Sequence, residues 1–92
     1  MKVVVRAKAA DDLVGIFEWI STQSPSTAIG VVLRLRRRIT VLEMPECAYI
    51  GRPGRDEGSR ELVEGNYIIV YEVNKRRQTI SILAIVRGAR DR

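Results

Sequence analysis

Histidine is absent from this 92-residue sequence, and cysteine occurs once, at Cys47. The first absence removes the commonest general acid–base and the commonest zinc ligand. With one thiol and no imidazole, a transition-metal site is not expected, and neither is any other cofactor. A lone cysteine cannot close an internal disulfide, which fits a reducing compartment. Cys47 reads as an inert thiol near a loop, because no basic residue adjoins it in sequence. Long hydrophobic runs are missing too. Charges recur from Lys2 onward, and no stretch approaches the roughly 18 apolar residues of a membrane span. No signal-peptide pattern opens the chain, so the expectation is a cytoplasmic protein without a membrane partner. Acidic residues are the scarcer charge: eleven Asp and Glu against sixteen Lys and Arg leave a net charge of +5. That balance favours an acidic partner, either nucleic acid or an acidic protein segment.

What remains is globular: 46% hydrophobic and 29% charged residues, in a length that suits one domain spanning 1–92. Its core is modest at this size and its stability margin thin. The densest signal lies between Ser59 and Arg90. Three apolar segments, Glu61–Glu64, Tyr67–Val73 and Thr79–Val86, are separated by Gly65-Asn66 and by Asn74–Gln78. Gly-Asn between apolar runs marks a tight hairpin, because primed turns need positive φ. The central run, with Ile68, Ile69, Val70, Tyr71 and Val73, is too short for a typical helix and rich in β-branched and aromatic residues. In the third run, period two places Ile80, Ile82, Ala84 and Val86 on one face and Ser81, Leu83 and Ile85 on the other. These segments predict an antiparallel three-stranded meander.

Upstream, Lys2–Arg6 reads as a short strand. Ala7–Gln23 reads as a helix whose apolar stripe is Ala9, Leu13, Ile16, Phe17 and Ile20. Trp19 falls about 100° from the centre of that stripe. It either covers the core's edge or anchors a partner. Ser24 is a good N-cap, and Pro25 at the first helical position gives up no needed N–H. A second helix is predicted from about Ser26 to Glu43, with Ala28, Val32, Leu35, Ile39 and Leu42 on its apolar stripe. Arg34, Arg37 and Arg38 lie on its flanks and back, as a solvated face or as a basic surface for an acidic partner. The two helices form a hairpin. Met44–Gly58 is irregular, broken by Pro45, Gly51, Pro53, Gly54 and Gly58. Its Gly51–Gly58 stretch lacks the Gly-Lys-Ser/Thr ending of a phosphate loop. The fold class is therefore α+β: an N-terminal strand and helical hairpin packed on a mostly antiparallel sheet with a C-terminal meander. Leu13, Phe17, Ile20, Val32, Leu35, Ile39, Ile69, Tyr71, Ile82 and Ala84 are expected to supply much of the core.

The order of elements, together with certain residues, resembles the RelE/ParE superfamily of bacterial toxins, and its ParE branch most. The likeness runs from Val3 to Asp91. It rests on Ala10, Asp12-Leu13 and Ile16, then Gly51-Arg52-Pro53-Gly54-Arg55, Ser59-Arg60-Glu61-Leu62-Val63, Tyr67-Ile68-Ile69-Val70-Tyr71, and Ile82 to Arg90. One position departs from the branch: a histidine often precedes its Gly-x-Arg ending, and here that residue is Arg87. The resemblance implies the toxin of a type II toxin–antitoxin pair, held by a ParD-like or related antitoxin and reaching operator DNA through that complex. ParE-like members poison DNA gyrase by contact, whereas RelE-like members cleave messenger RNA on the ribosome. The missing histidine and the lack of a tyrosine after Tyr71 favour gyrase binding over catalysis. Messenger cleavage and a non-toxic basic binding module remain the alternatives. Arg60, Arg87 and Arg90 are the candidate target-binding residues, unless Arg60 and Arg90 serve the strand ends structurally. Trp19, Arg34, Arg37 and Arg38 are the candidate antitoxin-binding residues.

Overall fold

A computed structural model describes residues Met1–Gly88. Strand β1 (Lys2–Val5) leads into helix α1 (Ala7–Ser21) and helix α2 (Pro25–Val41). A short edge strand β2 (Arg52–Pro53) precedes the meander of β3 (Ser59–Glu64), β4 (Tyr67–Asn74) and β5 (Thr79–Arg87). All five strands form one sheet in the order β1-β5-β4-β3-β2. The meander and β2 are antiparallel, while β1 runs parallel to β5, from Lys2 opposite Thr79 to Val5 opposite Ile82. Parallel pairing needs a crossover, and the helical hairpin begins it.

Local chemistry sets the ends of these elements. The Ser24 side chain accepts the Thr27 amide at 3.3 Å, with Pro25 in the first helical position. Helix α1 stops at Ser21, short of the expected Gln23. The Thr22 hydroxyl donates to the Trp19 carbonyl at 2.7 Å, and the Gln23 and Ser24 amides both turn back to Ile20. A local hydroxyl bond of this kind competes with helix continuation. Helix α2 likewise ends at Val41, before the expected Glu43, as the Leu42 amide turns back to Ile39. At the first hairpin only Gly65 has positive φ, +60°, the signature of a II′ turn with glycine in its first central position. The irregular stretch expected over Met44–Gly58 holds a single 3₁₀ turn, Pro45–Cys47, and β2. Pro53 sits in an edge strand, where a missing N–H costs no ladder bond.

The helices cover one face of the sheet. Leu35 and Leu42 meet Leu62, Ile69, Tyr71, Ile80, Ile82 and Ile85 there, all buried, with Ala9, Ile39 and Ala48 between them. Leu13, Ile16, Val31 and Tyr67 pack around this cluster, half-buried. Two expected core residues fall elsewhere. Tyr71 faces Ile82 while Val70 faces Ala84, so Leu83 is an extra residue on β5. This bulge flips the alternation, and Ile85 enters the core in place of Ala84, which is only half-buried. Phe17 remains 39% exposed, because it borders the open hollow between α1, α2 and β1. Ile20 and Val32 are half-buried at the core's margin. Leu35 of α2 has no exposed surface and belongs to the buried cluster between the helices and the sheet. Leu35→Ala is expected to cost about 2–5 kcal/mol, read as a lower urea midpoint at unchanged slope.

Candidate functional site

The residues that looked most motif-like in sequence form a structural latch. Tyr71 is fully buried on β4. Its hydroxyl donates to the Ala48 carbonyl at 3.0 Å and accepts the Gly51 amide at 2.9 Å. A Cβ on Gly51 would lie 2.8 Å from the Tyr71 ring and 2.9 Å from the Glu61 carbonyl, so only glycine fits this approach. Arg60 completes the latch. Its guanidinium donates to the Gly51 carbonyl at 3.0 Å and the Tyr49 carbonyl at 3.1 Å, with the Tyr49 ring centroid 5.3 Å away. Glu61, one residue on, points to the opposite sheet face, where it meets Arg52 across the β2–β3 pair at 3.4 Å.

A second long-range bond fixes α1 on the sheet. Strand β1 pairs with β5 only as far as Ile82. Beyond that point no strand among the described residues flanks this edge of β5. The Asp12 carboxylate, from the second turn of α1, accepts the Ile85 amide there at 2.9 Å and also pairs with Lys8. The Lys8 pair, with its exposed amine, contributes little. The bond from an amide to an ionised acceptor is the stronger one. Asp12→Ala is expected to lower stability by about 1.5–3 kcal/mol, and Asp12→Asn, which keeps an acceptor, by less. Thermal or urea unfolding of the two variants checks the ranking.

Two concavities open on either side of the buried stripe of α1. The larger, about 630 Å³, lies between α1, α2 and β1. From α1 it takes Ala10, Leu13, Val14 and Phe17, the i, i+3, i+4, i+7 set of one helical face. Val3 and Val5 supply its floor, and Arg36 and Glu43 its charged rim. Val14 is 56% exposed and Val5 41%. Alongside it, β1 is an edge strand with an open hydrogen-bonding side. The smaller concavity, about 300 Å³, is shallow and lies on the other flank. Trp19, Gly15, Asp11 and Asp12 of α1 meet Tyr67, Ile85 and Arg87 of the sheet. Trp19 is 64% exposed, and Arg87, opposite Tyr67 in the register, is exposed as well. An exposed tryptophan, a tyrosine and an arginine around one hollow are the residue types that dominate binding energy at protein interfaces.

The structure thus brings Trp19 and Arg87 together, although they were assigned separate roles in sequence. Arg60 is apart from them, opposite Tyr71, four residues up β4 from the Arg87 partner Tyr67, or roughly 13 Å along the strand. Arg38 lies 3.4 Å from Glu64, Arg34 borders a small hollow beside Glu64 and Tyr67, and Arg37 is exposed. The arginine at the rim of the apolar groove is Arg36, which the helical pattern did not single out. Arg90 lies outside the described residues. Sequence reading also missed Val14 as a groove residue, although its place beside Ala10 and Phe17 on one helical face was there to be read. Among the described residues no cluster of three or more Cys, Asp or Glu could hold a metal ion. No helix among them is long and apolar enough to cross a membrane.

Comparison with known proteins agrees with this architecture. A search against curated proteins finds no significant match. Among solved structures, the chain is similar to one described as the chromosomal ParDE system from P. aeruginosa, at 25% identity over 96% of both chains, with a TM-score of 0.83. It shares its fold with a chain of the toxin–antitoxin complex RelBE2 from Mycobacterium tuberculosis, at 20% identity, 94% of this chain, 95% of that one, and a TM-score of 0.57. The family model described as the ParE toxin of the type II toxin–antitoxin system parDE matches residues 3–92. The N-terminal strand, helical hairpin and C-terminal strands match this architecture, and the chain belongs to the ParE toxin family.

Proposed function

We propose that this toxin arrests growth by binding DNA gyrase through the Trp19–Tyr67–Arg87 hollow, and that a ParD-like antitoxin neutralises it from the groove between α1, α2 and β1. The observation that carries the target reading is the hollow itself. It offers aromatic surface and a guanidinium able to grip a carboxylate or phosphate in bidentate fashion. It has no histidine to move a proton. Of the two carboxylates that line it, Asp12 holds Lys8 and the Ile85 amide and Asp11 is exposed to solvent, while Glu64 pairs with Arg38 and Glu61 with Arg52. This arrangement suits binding better than general-base chemistry.

The antitoxin reading rests on the groove. Its apolar wall and open β1 edge suit an amphipathic segment laid across helices and sheet edge, with acidic residues toward Arg36 and the surplus positive charge. Such a segment orders on binding and covers Val5, Val14 and Phe17. The test is purified protein incubated with gyrase and supercoiled plasmid, beside a parallel assay of messenger cleavage on ribosomes. The expected result is gyrase-dependent plasmid breakage with intact messenger. Cleaved messenger with unaffected gyrase assigns the chain to RNA cleavage instead. Inactivity in both, with no growth arrest in cells, leaves a partner-binding domain.

A further inference from the structure

The β4–β5 turn carries Lys75, Arg76 and Arg77 in succession, and neither the gyrase reading nor the antitoxin reading uses them. All three are exposed. Lys2, also exposed, stands beside them, because its strand pairs with Thr79 and its amide donates to the Gln78 carbonyl at 3.0 Å. The turn is well fastened. The Asn74 side chain accepts the Arg77 amide at 3.0 Å, the Gln78 amide group donates to the Lys75 carbonyl at 2.7 Å, and Gln78 takes a left-handed φ of 55°. Among the described residues the ion pairs are Lys8–Asp12, Arg38–Glu64 and Arg52–Glu61, so none of these four cations is paired. The nearest acidic residue in the two strands is Glu72, three positions before Lys75 and already within the ladder opposite Ser81. The turn lies at the far end of β5 from Arg87, eight residues or about 26 Å away. It is a separate surface from the Trp19 hollow.

We infer that this hairpin tip is a contact surface for the phosphate backbone of duplex DNA. Its polarity carries the choice of partner. An acidic protein partner is normally anchored by buried aromatic or aliphatic residues, and a membrane surface by an apolar face or a lipid. The tip offers neither. Its neighbours are Asn74, Gln78 and Thr79, while among the described residues the large exposed apolar side chains after Val5 begin at Val14 and end at Val63. Single-stranded nucleic acid is held by bases stacked on aromatic rings. All five aromatic residues, Phe17, Trp19, Tyr49, Tyr67 and Tyr71, lie off the turn. Four unpaired cations on a stiff, wholly polar support suit a sequence-independent contact with regularly spaced phosphates. The surface does not depend on which enzyme the toxin acts upon.

The test is fluorescence anisotropy of a short, labelled, mixed-sequence duplex titrated with the whole toxin at several salt concentrations. Wild-type protein is expected to bind with a dissociation constant of about 10⁻⁴–10⁻⁶ M near physiological salt. Its affinity falls with salt at a slope of roughly 0.9 for each phosphate engaged. The triple variant Lys75→Gln, Arg76→Gln, Arg77→Gln is expected to flatten that slope by roughly 2 to 3. A control variant of equal charge, Arg34→Gln, Arg36→Gln, Arg37→Gln on α2, is expected to leave the slope nearly unchanged. Both variants change exposed side chains only, and unchanged melting temperatures check their folds. Equal losses in the two variants, or an unchanged slope in the hairpin variant, overturn the proposal. So does tighter binding of an acidic peptide or of single-stranded RNA than of the duplex at the hairpin.

Discussion

On the proposed gyrase reading, Arg87→Ala is expected to abolish poisoning while leaving the protein folded and still able to bind its antitoxin. Arg87 is the last residue of β5, exposed, opposite Tyr67 and across the hollow from Trp19. In the free toxin none of the hydrogen bonds or ion pairs between described residues depends on its guanidinium, so its removal costs the fold little. In a complex the same guanidinium would be desolvated between two aromatic rings and paired with a carboxylate or phosphate. Removing one partner of such a pair costs about 2–5 kcal/mol, much of it from the charge left unmatched on the other side. At about 1.4 kcal/mol per tenfold, that is a loss of about 30-fold to several thousandfold. Arg87→Lys is expected to fall between the wild type and Arg87→Ala, because an ammonium keeps the charge without the bidentate fork. Trp19→Ala removes the facing aromatic and is expected to weaken poisoning with Arg87 intact. The double variant should lose less than the sum of the two if both side chains grip one element of the target. The measurement is the toxin concentration giving half-maximal gyrase-dependent plasmid breakage, set beside growth after induction. Undiminished breakage by Arg87→Ala removes the hollow from the mechanism.

Much of this fold was legible in the sequence because its signals are local. Gly65-Asn66 names its own turn, Ser24-Pro25 starts its own helix, and the apolar stripe through Leu35 and Ile39 needs only the helical period. The bulge at Leu83 was not legible. Nothing in Ile80–Val86 marks which residue the ladder omits, so strict alternation put Ala84 in the core and left out Ile85. Phe17 shows a second limit. A helical period identifies an apolar face but not how far the neighbouring elements reach across it, and the uncovered part of that face is where the groove opens. The latch shows a third. Gly51, Arg60 and Tyr71 stood out as a motif, and a motif reads the same whether it serves a site or a fold. Only the bonds from Arg60 and Tyr71 to the carbonyls of residues 48, 49 and 51 reveal that these side chains pin a loop. Asp12 lies at the other extreme. Its partner, the Ile85 amide, is 73 positions away, and the need for it arises from the shortness of β1, which no local window contains.

Because the two concavities flank α1 on opposite sides of its buried stripe, neutralisation and toxicity are expected to separate by mutation. Val14→Asp is the sharper test. Val14 is 56% exposed, so a carboxylate there stays solvated in the free toxin and stability changes little. In a complex docked as proposed it would be buried in the apolar wall formed by Val3, Val5, Ala10 and Phe17, against the apolar side of the antitoxin segment. An unpaired buried charge costs several kcal/mol, and about 3–5 kcal/mol corresponds to a loss of roughly 150- to 4,000-fold in affinity. An antitoxin acidic enough to complement Arg36 and the net charge would also meet a like charge, which adds to the loss. Ile29→Asp is the matched control: it is similarly exposed, at 51%, on α2 but outside the groove, and antitoxin binding should persist. In cells making both proteins, Val14→Asp should restore growth arrest despite the antitoxin, since the Trp19–Arg87 hollow is untouched. Isothermal titration of the two variants with the antitoxin gives the affinities, and co-expression gives the phenotype. Full neutralisation of Val14→Asp, at wild-type affinity, would place the antitoxin elsewhere on the toxin.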